Sequence, residues 1–291
     1  MKVIVFGGAG FLGSHICDKL SDSGHEVIIY DIKKSVWLRS DQEMIVGDIL
    51  NIEEIEDAVK GCDVVYNFAG LADIDDAKDK PLQTVQLNIL GNVNIMEACR
   101  KEGVKRYIFA SSVYVYSDSG SFYRASKKAC EDYVELYNKR YGLEYTILRY
   151  GTLYGPRSDE RNAIFRFVKS ALREKKIEYT GDIAAKREYI HVFDAAQASV
   201  EVLDSKFSNQ NITLTGSQTY YVKELLEMIN EVLGNEIEII HNENKSKTAH
   251  YKLTPYNFTP KCGKKFIPSL QVDIGQGLLN VVEEIYHSEN L

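Results

Sequence analysis

Residues 2–13 read Lys-Val-Ile-Val-Phe-Gly-Gly-Ala-Gly-Phe-Leu-Gly, a short apolar run followed at once by three glycines at every third position, Gly7, Gly10 and Gly13. An apolar run of this length reads as a strand buried on both faces of a parallel sheet. Where such a strand turns into a helix, missing side chains let the backbone approach a pyrophosphate. The helix N-terminus then presents free N–H groups and a partial positive charge. Glycine also serves tight turns that bind nothing. The place of the loop after the first strand, with an acidic residue closing the second, favours the phosphate reading. That residue is Asp31, at the end of Glu-Val-Ile-Ile-Tyr-Asp, 26–31. A carboxylate there accepts hydrogen bonds from ribose hydroxyls and repels a 2′-phosphate, so the pattern predicts NAD rather than NADP. Lys33 and Lys34 read as solvated loop charges. Asp48, in VGDI, is a second candidate, for the adenine amino group, and reads equally as a turn or cap residue.

Outward from this unit, β-branched runs at 43–47, 63–69, 106–111 and 144–150 alternate with helical patterns at 12–23, 51–60, 81–102, 122–141 and 194–204. Such alternation predicts an α/β fold, a Rossmann-type doubly wound parallel sheet with right-handed crossovers, followed by a smaller C-terminal substrate-binding lobe. Beyond residue 150 the pattern loosens. Helices are expected at 160–174, 222–234 and 272–287, short strands at 177–180 and 187–190, and irregular structure over the polar stretch 241–268. The expected domains interleave: 1–155 plus about 188–205 for the cofactor, about 156–187 and 206–291 for the substrate.

Of the 291 residues, 42 are acidic and 35 basic, a net charge of −7 that argues against broad nucleic-acid binding. The cysteines (Cys17, Cys62, Cys99, Cys130, Cys262) stand singly and read as reduced apolar fillers. Neither they nor the dispersed histidines have metal-ligand spacing, so no metal is expected. The apolar start is broken by glycines without a cleavage site, and no run reaches the ~20 residues that span a bilayer. A cytoplasmic protein without membrane partners is the expectation.

Residues 123–127 read Tyr-Arg-Ala-Ser-Lys. Tyr123 and Lys127, four apart, share one helix face. An ammonium beside a phenol favours the phenolate, which makes Tyr123 a usable general base. With 19 tyrosines in the chain such a pair also arises by chance, but Ser111-Ser112 ends the preceding strand, at the sheet edge where ligands bind.

Taken together, GGAGFLG, Asp31, VGDI (46–49), NFAGL (67–71), FASSVYVY (109–116), YRASK, LRYGTLYGPR (148–157) and REYIHVFDAA (187–196) resemble, in order, an extended short-chain dehydrogenase/reductase of the NAD-dependent nucleotide-sugar epimerase/dehydratase group. The resemblance covers about the first 200 residues. It implies that Tyr123 takes a proton from a sugar hydroxyl while hydride leaves the same carbon. Ser112 would bond the reacting oxygen, and Lys127 would hold the nicotinamide ribose and tune Tyr123. It further implies cofactor contacts from Gly7, Gly10, Phe11, Leu12, Gly13, Asp31, Asp48, Ile49, Ala69 and Asn88, together with Tyr123 and Lys127. Asn88 reads equally as helix-surface polarity. Substrate contacts would come from Ser112, Thr152 and Arg187, the last clamping the diphosphate. His191 reads as a structural histidine near a helix start.

Departures from the group narrow the reaction. Val113-Tyr114 stands where 4,6-dehydratases have Asp-Glu, which argues against dehydration, and Asp31 argues against NADPH-dependent reductive epimerases. Only eleven positions run from Ser112 to Tyr123, Thr152 replaces an Asn, Ala72 replaces a Lys, and no Arg follows Arg187. Lysines at 247, 252, 261, 264 and 265 stand as substitutes or as a solvated basic face. The expectation is NAD-dependent oxidation of a nucleotide-activated sugar at C4, as an epimerase or a net dehydrogenase, with an unusual sugar such as a heptose for surface polysaccharide as one substrate. The alternative is a catalytically silent NAD-binding regulator or scaffold of the same fold. Helices 81–102 and 122–141 are the expected contact of a homo-oligomer, a dimer or tetramer.

Overall fold

The computed structural model describes residues 1–242. The expected helix 272–287, the polar stretch past 242, Cys262 and the lysines at 247, 252, 261, 264 and 265 lie outside the described residues. In chain order the elements begin β1 (Lys2–Phe6), α1 (Phe11–Asp22), β2 (Glu26–Asp31), β3 (Gln42–Val46), α2 (Ile52–Val59), β4 (Val64–Asn67), α3 (Ile74–Ala77) and α4 (Pro81–Thr84). A π-helical turn, Val85–Leu90, leads into α5 (Gly91–Glu102), then β5 (Arg106–Ser112), α6 (Ser121–Tyr141), β6 (Glu144–Tyr150) and β7 (Thr152–Tyr154). The remainder is α7 (Ala163–Glu174), β8 (Lys176–Thr180), β9 (Lys186–His191), α8 (Val192–Glu201), β10 (Gln210–Leu214), β11 (Thr219–Tyr221), α9 (Val222–Val232) and β12 (Glu238–Asn242).

Seven strands form one sheet in the order β10-β6-β5-β4-β1-β2-β3. Every pairing in it is parallel. Side chains alternate across a strand, and the two faces of this sheet bury different sets. Ile4, Phe6, Tyr107 and Phe109 pack with Ile55, Met96, Cys99, Cys130 and Val134 of α2, α5 and α6. Val3, Val5, Ile108 and Ala110 pack with Ile16, Leu20, Ala195 and Val200 of α1 and α8. Because both faces are covered, β5 is buried at all seven positions, which explains its near-continuous apolar sequence. With β2 and β3 to one side and β5 and β6 to the other, the order in which successive strands are added reverses at β1 and β4. Their carboxyl ends therefore form a crevice, the place where ligands bind in open α/β sheets.

Three differences from the sequence reading have physical causes. The strand Gln210–Leu214 pairs with β6 and extends the first sheet, so the segment counted from 206 with the second lobe returns one strand to the first. The helix expected over 81–102 is three pieces. Pro81 opens the first, and the Cys130 thiol donates to the Asn88 carbonyl at 3.0 Å inside the π turn, taking a backbone acceptor out of the α pattern. The short strands β7, β11 and β12 were not expected. They pair with β9 or β8 in small sheets whose alternation is too brief to stand out. Ala171, Ile177, Ala185, Val222, Leu226, Ile229 and Ile237 make a separate small core beside those sheets.

The turn from β1 to α1 is set by contact. A Cβ on Gly13 would lie 2.3 Å from the Gly7 carbonyl oxygen, and one on Gly7, whose φ is +77°, would lie 2.6 Å from the Ala69 nitrogen. Both neighbours are backbone and cannot step aside. Gly13→Ala should therefore cost about 1–3 kcal/mol of stability, read as a lower urea midpoint. An unchanged midpoint would contradict the packing described.

Candidate active site

The glycine loop leaves the N-terminus of α1 open. Gly10 occupies the N-cap with no side chain to bond the first-turn amides. A Cβ there would meet only the Gly7 oxygen, at 3.2 Å. Uncapped N–H groups of the first turn, at Phe11 and Leu12, thus face outward at the positive end of the helix dipole. Asp31 is tied to the same loop. Its Oδ2 accepts from the Ala9 N–H at 3.1 Å and its Oδ1 from the Lys33 N–H at 3.2 Å. A carboxylate oxygen has a second lone pair, so both retain capacity for ribose hydroxyls. These features fit the dinucleotide expected from the sequence.

Around this cradle, Asp48 is a turn residue. Its Oδ1 accepts from the Leu50 N–H at 2.9 Å, and its carbonyl accepts from the Tyr30 hydroxyl at 3.2 Å. Ile49 is buried, and its carbonyl accepts from Asn94. The Ala69 N–H donates to Asn67 Oδ1 at 3.0 Å, which fixes the chain leaving β4 behind Gly7. Asn88 is not a surface residue. It is 4% exposed, its Oδ1 accepts from the Leu71 N–H at 2.6 Å, and its Nδ2 donates to the Leu71 carbonyl at 3.1 Å and to Ser126 Oγ at 2.9 Å. The π turn, a feature frequent at functional sites, carries this bridge between the loop after β4 and α6.

Tyr123, Lys127 and Ser112 come together at the carboxyl end of β5. Tyr123 and Ser112 are hydrogen-bonded through their side chains, and the Tyr114 ring meets the Tyr123 ring edge-on at 6.5 Å. Lys127 Nζ donates to the Ala110 carbonyl at 2.7 Å and lies 5.8 Å from the Tyr123 ring centroid. Burial pushes the Tyr123 phenol up to about 12, and the Ser112 hydrogen bond only partly offsets it. Burial also holds the Lys127 ammonium below its ordinary range, against the opposing pull of Cys130 and Glu131. Lys127 is turned to a backbone carbonyl, and burial is the larger influence on the phenol here.

Thr152 and Arg187 lie in the three-stranded sheet of β11, β9 and β7, where Thr152 is opposite Tyr189. Arg187 is opposite Tyr220 and donates through Nη1 to the Lys186 carbonyl at 2.9 Å. His191 caps α8, its Nδ1 accepting from the Phe193 N–H at 3.3 Å. Sequence reasoning missed Ser126, whose Oγ donates to the Tyr123 carbonyl at 2.7 Å, and Glu131, buried one turn past Lys127. The only signal for Glu131 was spacing: 123, 127 and 131 recur on one helical face.

A family model described as the NAD dependent epimerase/dehydratase family matches residues 3–214. A relative from Methanocaldococcus jannaschii named "Putative UDP-glucose 4-epimerase" is 30% identical, over 96% of this chain and 97% of its own. The crystal structure of the Thermus thermophilus UDP-glucose 4-epimerase in complex with NAD superposes with a TM-score of 0.79 at 27% identity, covering 91% of this chain and 95% of that one. The UDP-N-acetylglucosamine 4-epimerase of Methanobrevibacter ruminantium, in complex with UDP-N-acetylmuramic acid, gives 0.80 at 28% identity over 89% of each chain.

A phenol held at about 12 stays protonated through neutral pH in the ligand-free protein. The difference in tyrosinate absorbance between wild type and Tyr123→Phe should therefore show no step between about pH 6 and 10. A step inside that window would mean the phenol is ionised more easily than its burial allows.

Proposed function

The chain belongs to the NAD-dependent epimerase/dehydratase family, and from that premise we propose that it interconverts UDP-hexoses that differ at C4. The observation that carries the proposal is the buried Tyr123–Ser112 pair with Lys127 beside it, at the carboxyl edge adjoining the glycine cradle. Two of its structural neighbours are a UDP-glucose 4-epimerase and a UDP-N-acetylglucosamine 4-epimerase, which puts a UDP-hexose ahead of a heptose.

In this reading Ser112 Oγ holds the C4 oxygen of the sugar and Tyr123 Oη removes its proton as the carbon becomes a ketone. NAD supplies the acceptor, and then the donor, of the hydride. Tyr123 would give the proton back to the C4 oxygen as the ketone is reduced from the opposite face, which would yield the epimer, and release of the ketone would give the net dehydrogenase. Burial of Tyr123 keeps water from the proton in transit. The first-turn amides at Phe11 and Leu12 would receive the pyrophosphate, with Gly7, Gly10 and Gly13 giving it room. Asp31 would take the adenosine ribose and Asp48 the adenine edge, with Ile49, Ala69 and Asn88 lining the crevice. Lys127 would hold the nicotinamide ribose. Thr152 would contact the sugar nucleotide, and Arg187 would offer a guanidinium to its diphosphate. Residues 1–155 with 188–214 form the cofactor lobe, and the rest of the described chain belongs to the substrate lobe. Val113-Tyr114 offers no acid–base pair for dehydration. Among the described residues no helix is long and apolar enough to cross a membrane, and a cytoplasmic site of action fits a chain that uses NAD and sugar nucleotides.

We propose a homodimer through the helices that flank the site. Leu82, Val85 and Leu90 on one, and Tyr133, Leu136 and Tyr141 on the other, are exposed apolar residues. The two helices adjoin, since the Tyr137 hydroxyl donates to Glu97 at 2.6 Å.

Incubation with UDP-glucose should yield UDP-galactose, resolved by chromatography. Tyr123→Phe should lower kcat by about 10²–10⁴-fold while NAD remains bound. Full activity in that variant would remove Tyr123 from the chemistry, and no product from a panel of sugar nucleotides would favour the silent NAD-binding protein. Leu136→Glu should shift the molecule to a monomer in light scattering, and an unchanged mass would put the interface elsewhere.

A further inference from the structure

The end of β5 is fastened to α6 at three successive residues. Lys127 Nζ donates to the Ala110 carbonyl at 2.7 Å, Ser111 Oγ donates to Glu131 Oε1 at 2.5 Å, and Ser112 is hydrogen-bonded to Tyr123. On the helix the partners Tyr123, Lys127 and Glu131 are spaced one turn apart, so they share a face. Neighbouring side chains on a strand point to opposite sides. Ser111 held to Glu131 therefore fixes the backbone at the strand end from which the next residue, Ser112, projects.

Glu131 is 6% exposed, and a lone carboxylate there would be strongly disfavoured. It is held by Arg149 of β6, whose Nε donates to Oε1 at 2.9 Å and whose Nη2 donates to Oε2 at 2.7 Å. Arg149 in turn donates through Nη1 to the Tyr116 hydroxyl at 2.5 Å, just past the end of β5. A buried ion pair of this kind gives little stability beyond what a packed apolar pair would give. Its advantage is a fixed geometry. A bidentate guanidinium leaves the carboxylate plane one orientation, and that orientation sets where Ser111 Oγ must sit.

We propose that Glu131 is a positioning residue for the proton transfer: clamped by Arg149, it fixes Ser111 and through it sets the Ser112 hydroxyl against Tyr123. The proposal rests on the roles given to Ser112 and Tyr123 above. Glu131 touches neither substrate nor cofactor in this account. Its effect is confined to the rotational and translational freedom of the Ser112 hydroxyl.

The test compares Ser111→Ala, Glu131→Gln and the double variant with wild type and Tyr123→Phe, in the full chain with NAD bound. Ser111→Ala leaves the carboxylate paired with Arg149, so the fold should keep its melting temperature. Misplacing a catalytic group by a fraction of an ångström to an ångström costs about 10- to 100-fold. The expected result is a fall of that size in kcat with KM and retained NAD unchanged, the pattern of an interaction made only in the transition state. Glu131→Gln should lower kcat similarly, and the double variant should lose no more than the worse single. Ser111→Ala with wild-type kcat, or losses that multiply in the double variant, or a loss that appears as raised KM or lost NAD, would each overturn the positioning role. An active Tyr123→Phe would instead overturn the reading of the reaction, which separates the two failures.

Discussion

The approach of Gly13 to the Gly7 carbonyl, with Gly7 itself against the backbone of residues 68 and 69, is the constraint from which the remaining geometry follows. It brings three chain segments together with no side chain between them: the end of β1, the start of α1 and the exit from β4. Once these are fixed, the open end of α1 faces the crevice where the strand order reverses, and Asp31 reaches back to the Ala9 amide. Adjacent strands then place the end of β5 beside that crevice. A substitution in the glycine loop therefore acts at the cofactor cradle and, through β4, on the segment held by Asn88.

Much of the first lobe was legible in the sequence because parallel strands buried on both sides have no polar alternation to confuse the pattern. β1, β2, β5 and β6 fall where their apolar runs lie. The meeting of Tyr123, Lys127 and Ser112 was legible for a different reason, since Tyr123 and Lys127 share a helical face and Ser112 ends a strand. What escaped was determined by tertiary partners. Nothing local in Val85–Leu90 announces a π turn, which depends on Leu71, Ser126 and Cys130 from elsewhere in the chain. Glu131 looks like any helix glutamate until Arg149 and Ser111 are brought to it. The raised phenol of Tyr123 escaped as well, because spacing predicts which groups are neighbours but says little about how much water each loses.

Burial has opposite effects on the two members of the YRASK pair. It raises the phenol and lowers the ammonium, because each charged form loses hydration. A charge introduced nearby is weakly screened by solvent and acts on both groups more strongly than it would at the surface. The same dryness explains the pairing of the amides beneath and beside the site. Asn67, Asn92 and Tyr107 bond one another beneath the crevice, and Asn88 uses both ends of its amide.

The return of Gln210–Leu214 to β6, after an excursion through β7, β8 and β9, bears on how the polypeptide is made. A nascent chain ending before residue 210 presents β6 as an open sheet edge with unpaired amides, a template for pairing with another chain. Until α8 has emerged, its α1 face is also uncovered: α8 packs there through Ala195 and Val200 and is anchored by Tyr66, whose hydroxyl donates to the Ser199 carbonyl at 2.7 Å. The first lobe is therefore finished only after much of the second has left the ribosome. Long-range parallel pairing of that kind forms slowly, and the half-made sheet is the stage of synthesis at which chaperones matter most.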